Sequence, residues 1–152
     1  METEKNTIPE FDERGNLPPG IYAVNFESVI KHFGGSKSLK RSQLGICLKE
    51  LYSFVRYYAK EIYIDGSFIT SKISPGDIDL IIVFSDDFEN NQAGIERFDE
   101  LQRKFRGKLH VFARLESQPF RGDDFLSLFQ KTRLNDQGKE FPKGIILLES
   151  KK

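Results

Sequence analysis

An apolar run in the middle of this 152-residue chain constrains the fold more than any other feature. Residues 78–84 are Ile-Asp-Leu-Ile-Ile-Val-Phe, and such a nearly unbroken apolar run is typical of a β-strand that is covered on both faces. Two carboxylates, Asp77 and Asp79, stand at its beginning. They are two residues apart, so both side chains leave the same face of the strand, with Cα atoms roughly 6–7 Å apart. This spacing suits binding of one divalent metal ion or of two neighbouring ions.

A second feature lies just upstream of these carboxylates. The stretch Glu61-Ile-Tyr-Ile-Asp65 predicts a strand that runs directly into Gly66 and Ser67. Glycine permits a tight turn and a close approach to an anion, and the following amides point outward if a helix begins there. Together the two features predict a metal site that handles phosphate. The alternative is that Asp77 and Asp79 only blunt a strand end that faces water.

The remaining apolar patterns predict an α+β domain with a small mixed β-sheet packed with helices. Helices are predicted over 25–33 (capped by Asn25), 39–59, 92–105 and 125–129, and strands over 62–64, 78–84, 109–115 and 144–148, with a polar turn at 135–139. Residues 1–20 are polar and rich in proline and glycine, so we expect an N-terminal arm there and a single domain over residues 21–152.

Composition excludes several classes of protein. Lys plus Arg and Asp plus Glu number 23 each, so no overall charge draws the chain to nucleic acid or to a membrane. The single cysteine, Cys47, excludes an intramolecular disulfide and, with only two histidines, a cysteine-rich zinc site. The sequence has neither a signal-peptide pattern nor a long apolar run, and we expect a cytoplasmic protein that does not enter the membrane.

Gly66-Ser67, a gap of nine residues and then Asp77-Ile-Asp79 resemble the signature of the nucleotidyltransferase superfamily, which includes the minimal nucleotidyltransferases of bacterial toxin–antitoxin systems. The rest of the chain resembles a narrower, uncharacterised bacterial family placed in that superfamily. The matching pieces are Gly15-Asn-Leu-Pro-Pro-Gly20, Asp65-Gly-Ser-Phe-Ile-Thr70, Pro75-Gly-Asp-Ile-Asp79, Phe129-Gln130 and Pro142-Lys-Gly-Ile145.

This resemblance implies a function and a role for each matching residue. Gly66 and Ser67 are expected to hold the β- and γ-phosphates of a nucleoside triphosphate, and Asp77 and Asp79 to hold Mg²⁺. Lys72, between the two motifs, is a candidate phosphate contact. The implied reaction transfers NMP from an NTP to a hydroxyl of a protein, an RNA such as tRNA or a small molecule, in a toxin–antitoxin or defence setting.

The chain departs from the superfamily pattern at one position. Active members place a third carboxylate on the next core strand, whereas this chain has His110 there. Imidazole can act as a base near neutral pH, but it does not replace the charge of a carboxylate. Glu116, Asp123 or Asp124 are candidates to supply the missing oxygen. Two hypotheses therefore stay open: a Mg²⁺-dependent nucleotidyltransferase, or a catalytically inactive module that binds nucleotide or a protein partner.

Two groups of basic residues suggest a contact with a nucleic-acid acceptor. They are Lys37, Lys40 and Arg41 before the long helix, and Arg103, Lys104, Arg106 and Lys108 before the third predicted strand. The alternative is that they are solvated charges, favourable in the second group at a helix C-terminus. A chain of this length lacks an obvious second domain to hold the base and the acceptor, which favours a partner subunit or a homodimer.

Overall fold

The computed structural model describes residues 7–35, 38–118 and 143–149, which form one mixed sheet and three α-helices. The strands are β1 (Gly20–Val24), β2 (Ala59–Asp65), β3 (Ile78–Phe84), β4 (Leu109–Leu115) and β5 (Gly144–Leu148), and the helices are α1 (Phe26–Val29), α2 (Leu39–Val55) and α3 (Gln92–Lys104). The strand order is β1-β5-β2-β3-β4. β1 and β5 are parallel, as are β3 and β4, whereas β2 is antiparallel to both of its neighbours. The predicted α+β class with a small mixed sheet is confirmed.

Each helix begins at a polar capping residue whose side chain accepts a backbone hydrogen bond. Asn25 caps α1, Ser38 caps α2 and Asn91 caps α3. These caps satisfy amide groups that have no partner within the helix. The first helix continues from α1 into a π-helical turn, Ile30–Gly34, so the predicted helix over 25–33 is confirmed, as is the one over 92–105.

The predicted C-terminal end of the long helix at residue 59 was wrong. α2 ends at Val55, and Ala59 already begins β2. Tyr58 has the spacing of the apolar stripe of the helix, but it lies in the intervening turn and packs against Phe88 at 5.2 Å between ring centroids. A tertiary contact here overrides the helical periodicity.

The first strand of the sheet, β1, was not predicted from the sequence. β1 pairs with β5 in register from Gly20 with Gly144 to Val24 with Leu148. Its hydrogen-bond partners lie more than a hundred residues away, so no local pattern identifies it. Leu17 is buried, and its carbonyl accepts a hydrogen bond from the Gly144 amide at 2.9 Å. Part of the predicted arm thus packs against the sheet, and the boundary at residue 20 stays a prediction.

Both faces of β3 are buried, which confirms the interpretation of the apolar run. Leu80 and Ile82 face the helices and join the main core, which includes Leu48 and Leu51 of α2. Ile81 faces the other way and forms a second cluster with neighbouring strands, whose buried members are Tyr63, Ile81, Val83 and Ile145. Leu80 and Ile81 are each only 1% exposed. Burial of each such side chain stabilises the fold by roughly 1.5–3 kcal/mol.

The predicted helix over 125–129, the polar turn over 135–139 and the candidate carboxylates Asp123 and Asp124 lie outside the described residues. Within the described ranges, no helix has the length and apolar character needed to cross a membrane.

Candidate functional site

Three polar side chains lie side by side across the sheet at the start of β3. The strand register pairs Asp65 of β2 with Asp79 of β3, and Asp79 with His110 of β4. Residues directly opposite one another on adjacent strands project from the same face. That face is the one with Ile81 and Tyr63, opposite the helices. We call Asp65, Asp79 and His110 the polar row.

Asp79 occupies the middle of the polar row. Its Oδ1 lies 3.4 Å from Nδ1 of His110, whose side chain is 60% exposed. Burial raises the pKa of the Asp79 carboxyl, and the charge of Asp77 raises it further, while His110 and Lys143 oppose the shift. Asp77, the residue just before β3, is half-buried. The structure therefore brings the two predicted metal-binding carboxylates together, with His110 beside them.

Asp65 and Lys143 are residues of the site that the sequence interpretation missed. Nζ of Lys143 lies 2.7 Å from Oδ1 of Asp65, and the two side chains are 12% and 6% exposed. This oxygen accepts no hydrogen bond of favourable geometry in the described residues, so it is the charge of Lys143 that compensates for its burial. Burial raises the pKa of Asp65 more than the Lys143 ammonium lowers it.

The two missed residues differ in how well the sequence signals them. Asp65 ends a predicted strand just before the glycine turn, and an antiparallel return of the chain places it opposite the Asp-x-Asp pair. Lys143 gives no such signal because its position depends on the pairing of β5 with β2.

Gly66 forms the turn that follows β2, and the structure requires a glycine there. Its φ of 87° lies in the left-handed region that side chains disfavour. A Cβ at this position would lie 2.9 Å from Oδ2 of Asp79. Ser67 then begins a single 3₁₀ turn, Ser67–Ile69, in place of a full helix. The backbone of Gly66 thus approaches the Asp79 carboxylate closely. The role of Gly66 and Ser67 in binding phosphate stays a prediction.

Arg41 holds the loop after this turn. Its guanidinium donates hydrogen bonds to the carbonyl oxygens of Phe68 at 2.5 Å and Thr70 at 2.6 Å. It also donates to the carbonyls of Lys72 (twice) and Phe33. Arg41 is 4% exposed, so its assignment to a basic surface for nucleic acid was wrong. Burial lowers the pKa of the guanidinium. The contacts with backbone carbonyls replace the hydration that the buried charge loses.

Lys72 contributes its backbone carbonyl to the Arg41 contacts, while its side chain is exposed. Its role as a phosphate contact stays a prediction.

An open cavity of about 480 Å³ lies beside the polar row, at the C-terminal end of α3. Its lining includes Asp77, Arg106 and His110.

Two basic residues that were predicted to contact a nucleic acid form ion pairs within the protein. Arg103 pairs with Asp99 at 3.5 Å, and Lys104 pairs with Glu50 at 2.7 Å.

Glu116 follows the opposite end of β4, where its amide donates to Phe84. At about 3.3 Å per residue, it is roughly 20 Å along the strand from His110. It therefore does not supply the third carboxylate.

The carboxylates present fit a magnesium ion that arrives with phosphate. In the described part of the chain, no three histidine, cysteine, aspartate or glutamate side chains are grouped to hold a metal ion. Mg²⁺ commonly takes one or two protein carboxylates and completes its shell with substrate phosphates and water. Asp77 and Asp79 can supply that share, while Asp65 is already paired with Lys143.

Comparison with known proteins gives the family of the chain. No curated protein and no solved structure matches it. A sequence profile of DUF6932, a family of unknown function, matches residues 9–149. The relation to the nucleotidyltransferase superfamily stays a prediction. Because the match spans nearly the whole chain, this protein belongs to the DUF6932 family.

Proposed function

We propose that this protein is a Mg²⁺-dependent nucleotidyltransferase that moves NMP from an NTP to an acceptor hydroxyl. The close approach of the Gly66 backbone to Asp79, with Asp77 beside them, is the observation that carries the proposal. It places a glycine turn, whose backbone other groups can approach closely, next to two carboxylates that suit a phosphate-bound metal ion. Transfer reactions of this kind depend mainly on positioning and on electrostatic stabilisation.

In this proposal each group has a defined task. The backbone at Gly66 and the hydroxyl of Ser67 bind the β- and γ-phosphates. Asp77 and Asp79 hold the magnesium ion, which when bound neutralises charge on the triphosphate. The acceptor oxygen forms a bond to the α-phosphorus, the bond to the bridging oxygen breaks, and pyrophosphate leaves. The acceptor proton passes to Nε2 or Nδ1 of a neutral His110.

The alternative is a catalytically inactive module that binds a nucleotide or a protein partner. One specific observation favours it: the position opposite Asp79 on β4 is His110, and Asp65, the carboxylate on the other side, is paired with Lys143. If the module binds a nucleotide, it does so through the same residues but transfers nothing.

We further propose a setting and an acceptor from the superfamily resemblance alone. The acceptor is a protein, an RNA such as tRNA or a small molecule, and the setting is toxin–antitoxin or defence. The cavity beside Asp77 and His110 is on the side of β3 away from Gly66, which suits an acceptor. A partner subunit or a second copy of this chain completes the binding site for the nucleotide base and the acceptor.

Label transfer distinguishes the enzyme from the inactive module. The native protein is incubated with Mg²⁺, bacterial RNA or lysate and each NTP labelled at the α- or the γ-phosphate. We expect the α-label alone to appear on an acceptor, and His110→Ala to lower that rate by about 10²- to 10⁴-fold with nucleotide affinity retained. Nucleotide binding without transfer of either label contradicts the enzyme and supports the module.

A further inference from the structure

Lys143 is the lysine that the fold places inside the candidate site. It immediately precedes β5, and the pairing of β5 with β2 holds it next to Asp65. Asp65 is joined directly to Gly66, the residue of the proposed phosphate turn. The ammonium is thus close to both the turn and the polar row, whereas the side chain of Lys72 is exposed.

Stability alone gives a poor account of this ion pair. Removing two charges from water costs about as much as their attraction returns, so buried pairs contribute little net stability. Here both charged side chains are largely removed from water, at 12% exposure for Lys143 and 6% for Asp65. A pair of apolar residues would fill the same space at no such cost.

The contacts of Lys143 within the described residues do not use all the hydrogen-bond donors of its ammonium. A lysine ammonium has three N–H donors. Among the described residues, the contact of Lys143 Nζ is the single Asp65 oxygen at 2.7 Å. The contacts within the described residues thus leave two donors of Lys143 for a ligand, beside a turn that is proposed to bind phosphate. When ionised, Asp65, Asp77 and Asp79 carry three negative charges, so a triphosphate needs cationic contacts in addition to magnesium.

We propose that Lys143 binds the phosphate oxygens of the nucleotide and that Asp65 is the positioning residue for its ammonium. This inference rests on the proposed function and identifies a triphosphate-binding residue of the same site. The ligand chemistry is a phosphate chain, and the nucleoside base plays no part in this contact.

Variants of the pair separate binding from a structural role. Lys143→Met alone leaves the Asp65 carboxylate uncompensated and is expected to destabilise the fold. The double variant Asp65→Asn/Lys143→Met removes both charges and should regain a melting temperature near that of the native protein. Lys60→Met is the matched control because Lys60 is exposed, at the other end of β2.

Calorimetry measures the affinity of these variants for two probes with Mg²⁺: inorganic tripolyphosphate and the NTP that the native protein binds best. We expect the folded double variant to bind both probes about 10-fold or more weakly, and Lys60→Met to bind like the native protein. A folded double variant with native affinity overturns the role of Lys143 and leaves the proposed function intact. Failure of the native protein to bind either probe overturns both.

A measurement on the native protein covers the case in which the double variant does not fold. The Nζ and Cε resonances of isotopically labelled lysine are followed while magnesium tripolyphosphate is added. The Lys143 signals should shift with the bound fraction, and those of Lys60 should stay in place. Unchanged Lys143 signals at saturation overturn the inference.

Discussion

Arg41 and Lys143 both carry a positive charge away from solvent, but they are held in different ways. The guanidinium of Arg41 makes five hydrogen bonds to backbone carbonyls, one for each of its N–H donors. The ammonium of Lys143 pairs with one carboxylate oxygen. Arg41 thus has no donor left for a ligand, whereas the contacts of Lys143 within the described part of the chain leave it two. A cation whose donors are all used stabilises the structure, and a cation with free donors can bind.

The two cations also act on the same loop from different elements. Arg41 extends from α2 and fixes the carbonyls of Phe68, Thr70 and Lys72. Lys143 contacts Asp65, which immediately precedes the loop. We therefore expect Arg41 to fix the position of the loop and Lys143 to bind the phosphate oxygens of a nucleotide beside it. Changes at the two residues should therefore affect different measurements.

The largest effect is expected from Arg41→Met. The change leaves four backbone carbonyls without their buried donor, which should lower the free energy of unfolding by about 3–5 kcal/mol or prevent folding. Urea denaturation measures it. Arg97→Met is the control, since Arg97 forms an exposed pair with Glu100 and its replacement should change stability by less than about 1 kcal/mol. If Arg41→Met lowers the free energy of unfolding as little as Arg97→Met does, the carbonyl contacts of Arg41 do not stabilise the fold.

Gly66→Ala should have the next largest effect. The left-handed backbone and the approach of Asp79 Oδ2 to 2.9 Å both oppose a side chain, at a cost of about 1–3 kcal/mol. Because Asp79 must move, the affinity for magnesium nucleotide should fall as well. In Gly76→Ala the new Cβ meets no atom of the described residues within 4 Å, so this control should be nearly neutral in both assays. Equal behaviour of the two alanines would show that the Gly66 turn is not tied to Asp79.

The smallest effect is a dependence of stability on pH. Burial and the charge of Asp77 raise the pKa of Asp79 above its ordinary value of 3.8. Such a carboxyl stabilises the folded state below that value, and the contribution is lost as the pH rises through its folded-state pKa. Asp79→Asn should therefore gain stability relative to the native protein between about pH 3 and pH 7.

Urea denaturation at both pH values measures this change. Asp99→Asn, in an exposed helical pair, is the control and should show no such trend. If Asp79→Asn instead loses stability relative to the native protein as the pH rises over this range, the contacts of Asp79 favour its ionised form.

The sequence predicts the elements of this fold better than it predicts the contacts of the site. β3 and β5 lie at the predicted residues because each is a compact apolar run, and β4 does so because its residues other than His110 and Arg114 are apolar. β1 was missed because its partner β5 is distant along the chain. Gly66, Asp77 and Asp79 could be predicted to meet because they lie at the adjoining ends of two consecutive strands.

Arg41 and Lys143 could not be assigned from the sequence for a different physical reason. Whether a cation is exposed or buried depends on which carbonyls or carboxylates the tertiary structure brings to it. Charge spacing along the chain gives no information on that point. For Arg41 the spacing favoured a surface role, and the structure shows burial at 4% exposure.

We propose above that Asp77 and Asp79 form a nucleotide site that depends on magnesium. The decisive experiment is a calorimetric titration of the native protein and of Asp77→Asn/Asp79→Asn with ATP, GTP, CTP and UTP, with and without Mg²⁺. Asp87→Asn/Glu89→Gln is the matched control, since these exposed carboxylates are also two residues apart. We predict that at least one NTP binds only with Mg²⁺, and that the Asp77/Asp79 variant alone loses this binding. Absence of binding to all four by the folded native protein, or binding that the Asp77/Asp79 variant retains, would contradict the claim.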